Sequence, residues 1–309
     1  MRQIEPLEEP PLVHRPFADL PFRVSMSLLP LDFADWVEAD SDFAPQLAEK
    51  RRLMAERRHD VFGALPEARA ACDEFLGLLL ANVVAHHASR FVPEGPGVRL
   101  LGLDEVVAPG DPHWHPLELA GRLVQEDWCI MQAEAAGAPY RLTAASLCFP
   151  SRWKLHEKLG LPMAGIHGPV PIYAERLSAP VDRFFSVLKV EKPVRRHNWS
   201  IYDDPRLFQP TGHGMTEADQ SITAENVGSR IWLRIERQTL VRLPQSGAIV
   251  FGIRTHRHSL SQLEAEPRSA ADLAEAIRTM PPDMALYKSV GRLEGPLLAY
   301  LDRIAAGRA

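Results

Sequence analysis

Two hairpin patterns in the second half of the chain constrain its fold most. Residues 121–132 (GRLVQEDWCIMQ) and 140–149 (YRLTAASLCF) are strand-like runs separated by the turn-rich segment AEAAGAP. Residues 229–243 and 246–256 form a second pair of runs around a Pro-Gln turn. Short connections of this kind join antiparallel neighbours, because parallel strands need a crossover of a dozen or more residues. The sequence therefore predicts a largely antiparallel sheet.

Helical sequence lies between the two hairpins and on both sides of them. A helix is predicted from Ser151, an N-cap candidate, to Gly160, and a second over 171–188. A further strand is predicted at 195–202, and the chain from 261 onward is again helical and Ala-rich. This order predicts an α+β fold with helices on one face of an antiparallel sheet. It is also the element order of a PAS domain.

We therefore expect a PAS-like core at residues 121–256. Residues 1–120 are expected to form an N-terminal extension, largely helical and packed on this core, with an irregular proline-rich stretch at 96–120. Residues 257–309 are expected to form a helical C-terminal extension. Ligands in a PAS-like architecture lie between the crossover helices and the inner face of the sheet, so the functional site is expected there.

The segment GIHGPVPIYAER (165–176) places one histidine beside this space. Pro169 and Pro171 stiffen the backbone and remove two N–H donors, and each disfavours helical geometry in the residue before it. His167 is therefore expected to have few alternative positions for its ring. Such a histidine either caps a carbonyl group or is held ready as a metal ligand, and the residues alone do not choose between the two.

One long strand pattern carries an arginine within an apolar face. By alternation, Ile235 and Val241 share a face with Arg237, whereas Glu236 lies on the other face. An arginine in an apolar row is unfavourable unless it meets an anion or a polar ligand. Arg237 is therefore expected to point into the ligand space opposite His167. The alternative is a β-bulge that reverses the register and moves Arg237 to the solvated face.

Other histidines carry less information. His113 and His115, and likewise His256 and His258, are i, i+2 pairs without a carboxylate or a third ligand at the spacing of a metal site. They are expected at the surface or in turns.

Charge, cysteines and motifs exclude several functions. The formal net charge of −5 argues against nucleic-acid binding, and charged residues interrupt every apolar run before it reaches membrane-spanning length. The three cysteines form no CxxC pair, which argues against an iron–sulfur site or a disulfide framework and favours a reducing cytoplasm. There is no glycine-rich nucleotide-binding motif, so redox electrons would have to come from another protein.

Seven motifs are specific when they are taken together. They are CFPSRW (148–153), KLG (158–160), IHGPVP (166–171), DRFF (182–185), NWS (198–200), RIERQTLVRLP (234–244) and AIVFGIRT (248–255). In this order and spacing they resemble the heme-dependent oxidative N-demethylase family, and the resemblance extends from about residue 20 to about residue 300.

The resemblance implies a PAS-fold subunit that binds heme b. Its expected activity is the oxidation of a small secondary amine, dimethylamine-like, by dioxygen to a primary amine and formaldehyde. His167, in the matching IHGPVP motif, is expected to be the iron ligand. NADPH, FMN and a [2Fe–2S] cluster are expected only on a partner reductase. The alternative function is a heme-based PAS sensor of gas or redox state that does not turn over.

Four further residues have expected roles within this interpretation. Arg237 would stabilise negative charge that develops as dioxygen is reduced, and Glu236 would hold an ammonium substrate. Because the two residues are adjacent, a regular strand cannot direct both inward. Arg234 and Arg254 are candidates for binding the heme propionates, with plain surface charge as the alternative.

Overall fold

A computed structural model describes residues 9–18, 21–135, 137–171, 173–212, 217 and 219–307. The first eight residues of the expected N-terminal extension, Ile172 of the expected crossover and the last two residues of the expected C-terminal extension therefore lie outside it.

The described part of the chain contains both strands and helices. The strands are β1 (Leu29–Pro30), β2 (Phe62–Ala64), β3 (Phe91–Glu94), β4 (Gly97–Leu100), β5 (Glu105–Val107), β6 (Asp127–Gln132), β7 (Arg141–Ser146), β8 (Val194–Tyr202), β9 (Trp232–Arg242) and β10 (Ile249–Ser259). The helices are α1 (Phe43–Glu56), α2 (Arg58–Val61), α3 (Arg69–His86), α4 (Pro116–Leu123), α5 (Met163–Ile166), α6 (Tyr173–Arg176), α7 (Ser178–Val187), α8 (Val227–Arg230), α9 (Pro267–Arg278), α10 (Pro282–Tyr287) and α11 (Glu294–Ala305). None of these helices is long and apolar enough to cross a membrane.

Seven strands form one antiparallel sheet in the order β1-β8-β9-β10-β6-β7-β2. At its centre β9 and β10 pair over their whole length, from Trp232 opposite Ser259 to Arg242 opposite Ile249. The strands β6 and β7 also pair, so both predicted hairpins are confirmed. The helices α5, α6 and α7 lie in the crossover from β7 to β8. This large antiparallel sheet with flanking helices confirms the α+β prediction.

Two local predictions are wrong. The stretch 96–120, expected to be irregular, contains β4, β5 and the start of α4. Pro116 is compatible with α4 because it lies in the first turn, where its missing N–H is not needed. The helix predicted from Ser151 is reduced to the 3-10 turn Leu155–Glu157. Arg152 has a left-handed backbone with φ of 59°, and a right-handed helix excludes this conformation.

The two faces of the sheet are covered differently. One face packs against the N-terminal helices α1 and α3 and the C-terminal helices α9 and α11. Trp128 of β6 lies on this face, with ring centroids 5.9 Å from Trp36 and 4.8 Å from Phe75. Gly252 permits this packing, because a Cβ atom there would lie 2.5 Å from the Trp128 ring. The opposite face packs against the crossover helices.

Candidate functional site

A cavity of about 1050 Å³ lies between the sheet and the crossover helices. This volume is at the upper end of the range typical of cofactor and ligand pockets. Its walls are mainly apolar where β6, β9 and β10 meet the crossover, and they include Met131, Leu240, Phe251, Ile253 and Phe185. Within these walls a few polar side chains converge, and the chemistry of the site depends on them.

His167 lines this cavity directly after α5. Its Nδ1 lies 3.0 Å from the backbone oxygen of Met163. A carbonyl oxygen only accepts hydrogen bonds, so Nδ1 carries the proton and Nε2 keeps its lone pair. The ring stacks on Tyr173 at 4.5 Å and 11°. Burial lowers the pKa of His167 to about 4, so the ring is neutral near neutral pH and suited to bind a metal ion through Nε2.

Glu236 also lines the cavity and is 9% exposed. The hydroxyl of Ser151 donates to one of its oxygens, and the amide of Gln238 donates to the other at 2.9 Å. Ser151, expected to cap a helix, instead fixes this carboxylate. The two donors hold the carboxyl group of Glu236 in one orientation where it borders the cavity.

Arg237 lies on the face of the sheet opposite to the cavity, which corrects its expected orientation. It is 2% exposed, and its Nε lies 3.1 Å from a carboxylate oxygen of Glu38. Its guanidinium also donates to the backbone oxygens of Asp35 and Trp36. The bulge alternative is wrong as well, because the pairing of β9 with β10 is continuous here and the side chain is buried. The apolar face of β9 is covered by terminal segments, and its polar face borders the cavity.

Residues 27–298 match the family described as haem-dependent oxidative N-demethylase, alpha subunit-like. The chain belongs to this family. The matched range contains His167, Glu236 and all seven strands of the sheet, and it confirms the resemblance carried by the seven motifs. The description names haem dependence, oxidative N-demethylation and likeness to an alpha subunit.

The two expected propionate partners do not line the cavity of this N-demethylase family member. Arg254 pairs with Asp40 and donates to Gln46 at 2.9 Å, on the same face as Arg237. Arg234 donates to the backbone oxygens of Leu207 and Phe149. Both side chains are nearly fully buried, so plain surface charge does not describe them either. Each is held by protein acceptors.

Two cations of this family member were not singled out by sequence reasoning. Arg196 and Lys288 both line the cavity. On β8, Arg196 lies opposite Gln238 and Asn198 lies opposite Glu236, so strand alternation was a signal that could have found Arg196. The Arg196 Nε is buried and has no hydrogen-bond partner among the described residues.

Lys288 follows α10, and no sequence pattern connected it with the sheet. Its Nζ donates to Asn198 Oδ1 at 2.8 Å and to the Trp199 oxygen at 2.6 Å. Burial, with a further contribution from the charge of Arg196, lowers the pKa of Lys288 to about 7. A lysine of this kind exchanges a proton near neutral pH.

His256 and His258 are buried in β10, which corrects their expected surface position. The Nε2 of His256 lies 2.9 Å from Glu38. Glu38 and His256 are 218 residues apart in the chain, so sequence patterns did not predict this contact.

Proposed function

We propose that this chain binds heme b with His167 as the iron ligand and oxidises a small secondary amine, dimethylamine-like, to a primary amine and formaldehyde. The observation that carries the proposal is the state of His167. Its Nδ1 is fixed on the Met163 carbonyl, its Nε2 keeps a lone pair, and the ring lines a cavity of about 1050 Å³. Iron-binding histidines in proteins commonly have their second nitrogen held in this way.

The other residues of the cavity fit heme. The apolar walls suit the faces of a macrocycle, and the half-buried Arg196 provides a cation whose buried Nε has no partner among the described residues and could bind a carboxylate of the heme. Heme, when bound, would supply the site at which dioxygen is reduced and the amine is oxidised. We therefore assign Arg196 the role of anion partner in the cavity, and Arg234, Arg237 and Arg254 structural roles.

Glu236 would bind the ammonium group of the substrate. Its two oxygens already accept from Ser151 and Gln238, so the carboxylate is held in one position before the amine arrives. The apolar walls exclude water and strengthen this charge interaction. Lys288, linked to the same strand pair through Asn198, would supply or accept a proton near neutral pH.

Electrons would come from a partner reductase that carries NADPH, FMN and a [2Fe–2S] cluster. Two observations support this. The family description is alpha subunit-like, and the chain has three cysteines, Cys72, Cys129 and Cys148, whereas a [2Fe–2S] cluster typically takes four. The core at 121–256 would be PAS-like, with 1–120 and 257–309 as extensions. This interpretation is supported by five neighbouring strands, β6 to β10, and by helices that cross over the cavity.

The test has two stages. Purified chain is titrated with hemin and should develop a Soret band. The loaded chain is then mixed with a flavin and iron–sulfur reductase and NADPH, and oxygen uptake and formaldehyde are measured with a panel of methylamines. Amine-dependent formaldehyde supports the proposal. Heme binding without turnover of any amine would favour the sensor function, and failure to bind heme would overturn both.

A further inference from the structure

A second group of chemistry-bearing side chains lies on the face of the sheet away from the cavity. His14 Nε2 is 3.1 Å from one oxygen of Glu38, and His256 Nε2 is 2.9 Å from the other. The three possible ligand atoms all lie within 4.8 Å of one another. The three residues come from distant parts of the chain: a segment before the first 3-10 turn, the loop before α1, and strand β10.

We propose that His14, Glu38 and His256 bind one divalent first-row transition metal ion. Two imidazole nitrogens and one carboxylate are ligands typical of Zn²⁺ or Fe²⁺, and not of Mg²⁺ or Ca²⁺, which prefer oxygen. In a tetrahedral zinc site with bonds of about 2.0 Å, the ligand atoms lie about 3.3 Å apart. The two N–O distances of 3.1 and 2.9 Å are close to this value, so an ion needs little rearrangement to enter.

The surroundings supply an outer partner for the buried histidine. His256 Nδ1 lies 3.7 Å from a carboxylate oxygen of Asp40. When Nε2 binds a metal ion, the ring proton resides on Nδ1, and a nearby carboxylate then orients the ring. Asp40 is therefore in position to select the metal-binding tautomer of His256.

Carboxyl groups and arginines border the three residues. The arginines Arg237 and Arg254 pair with Glu38 and Asp40. A third carboxyl group, Glu126, accepts from the Glu38 N–H, and its second oxygen is buried without a hydrogen-bond partner among the described residues. The carboxyl groups of Asp40 and Glu126 thus lie next to the proposed ligands.

A metal ion at this position would fasten the N-terminal segment to the sheet. His14 lies outside the matched range 27–298, whereas Glu38 and His256 lie inside it. The site would be structural, because the ion would join the N-terminal segment to β10 away from the cavity. Bound metal should then raise the melting temperature, and above the dissociation constant the rise should grow with the logarithm of the metal concentration. The inference does not depend on the proposed function, since the cluster and the cavity lie on opposite faces of the sheet.

The experiment is a calorimetric titration of the full chain with Zn²⁺ after treatment with a chelator, accompanied by thermal melting. We expect one tight site per chain. The variant His14→Gln should lose affinity by at least about 10- to 100-fold, the usual loss for an outer-shell partner alone, and should lose the metal-dependent rise in melting temperature. Because His14 lies on a loop, its replacement leaves the sheet intact.

Three further variants make the result decisive. His256→Gln should match His14→Gln, and His113→Gln, at an exposed histidine, should bind like wild type. His167→Ala should also keep the zinc site, which separates this inference from heme binding. The proposal would be overturned if wild type had no tight site or if His14→Gln bound zinc as well as wild type does. The three residues would then form a hydrogen-bonded cluster without a metal ion.

Discussion

Glu236 and Arg237 are consecutive residues of β9, and their side chains lie on opposite faces of the sheet. Glu236 lines the cavity, whereas Arg237 pairs with Glu38 beneath the N-terminal segment. Substitution of one should therefore affect ligand chemistry, and substitution of the other should affect stability.

Glu236→Gln should weaken amine binding while heme content stays the same. The amide keeps the shape of the side chain but loses the charge that pairs with ammonium. A charge-assisted hydrogen bond contributes about 1.5–3 kcal/mol, which corresponds to about 10- to 150-fold in affinity. The measurement is the amine dependence of formaldehyde production with reductase present. The control is Glu191→Gln, at an exposed carboxylate; equal amine affinity in both variants would show that the ammonium group binds elsewhere.

Arg237→Gln should lower the free energy of unfolding by about 1–3 kcal/mol, because Glu38 loses its cation and two backbone oxygens lose their donors. Urea unfolding at neutral pH measures this change, and hemin titration should give an unchanged Soret band. Unchanged stability together with lost heme binding would indicate that the Arg237 side chain points into the cavity.

His167→Ala should abolish or strongly alter the Soret band, because the nitrogen proposed to bind the iron is removed. The matched control is His156→Ala, at an exposed histidine in the same connection between β7 and β8. Hemin titration of both variants and wild type checks the result. An identical spectrum in all three would exclude His167 as the iron ligand.

Arg196→Gln should reduce hemin affinity by about 10- to 150-fold, the effect of losing one charge-assisted contact to a carboxylate. Its neighbour Arg195 lies opposite Thr239 and does not line the cavity, so Arg195→Gln is a control that differs by one position. Competition for hemin with apomyoglobin gives the affinities. Parallel losses in both variants would point to a general effect of charge.

Lys288→Met should change how stability depends on pH. Burial lowers the pKa of Lys288 from 10.5 to about 7, so between these values the unfolded chain binds more protons at this residue than the folded chain does. The stability of wild type relative to Lys288→Met should therefore rise with pH across this window, by up to about 1.4 kcal/mol per pH unit. Urea unfolding between about pH 7 and pH 9 measures the difference, and a constant difference would contradict the lowered pKa.

The features that the sequence predicted well are local ones. Alternation and turn residues defined both hairpins, and two prolines indicated a fixed position for His167, whose ring is held on the Met163 oxygen. Alternation also separated Glu236 from Arg237 correctly. These features depend on neighbours in the chain, and their periodicity is visible without tertiary contacts.

The features that the sequence did not predict depend on distant packing. Arg237 faces away from the cavity because it contacts Asp35, Trp36 and Glu38, which lie about 200 residues away in the chain. The same applies to Lys288, whose two acceptors lie on β8. Arg237 was expected to meet an anion or a polar ligand in the cavity, but its acceptors are protein groups on the opposite face of the sheet.

Both edges of the seven-stranded sheet end in very short strands. β1 has two residues, one of which is Pro30 and lacks an N–H, and β2 has three. Such edges offer few free backbone groups, so strands of other molecules find little to pair with. This disfavours edge-to-edge aggregation of the sheet. A protein that bound without adding a strand would have to contact side chains on the helices and loops, and changes there would leave the hydrogen bonds of the sheet in place.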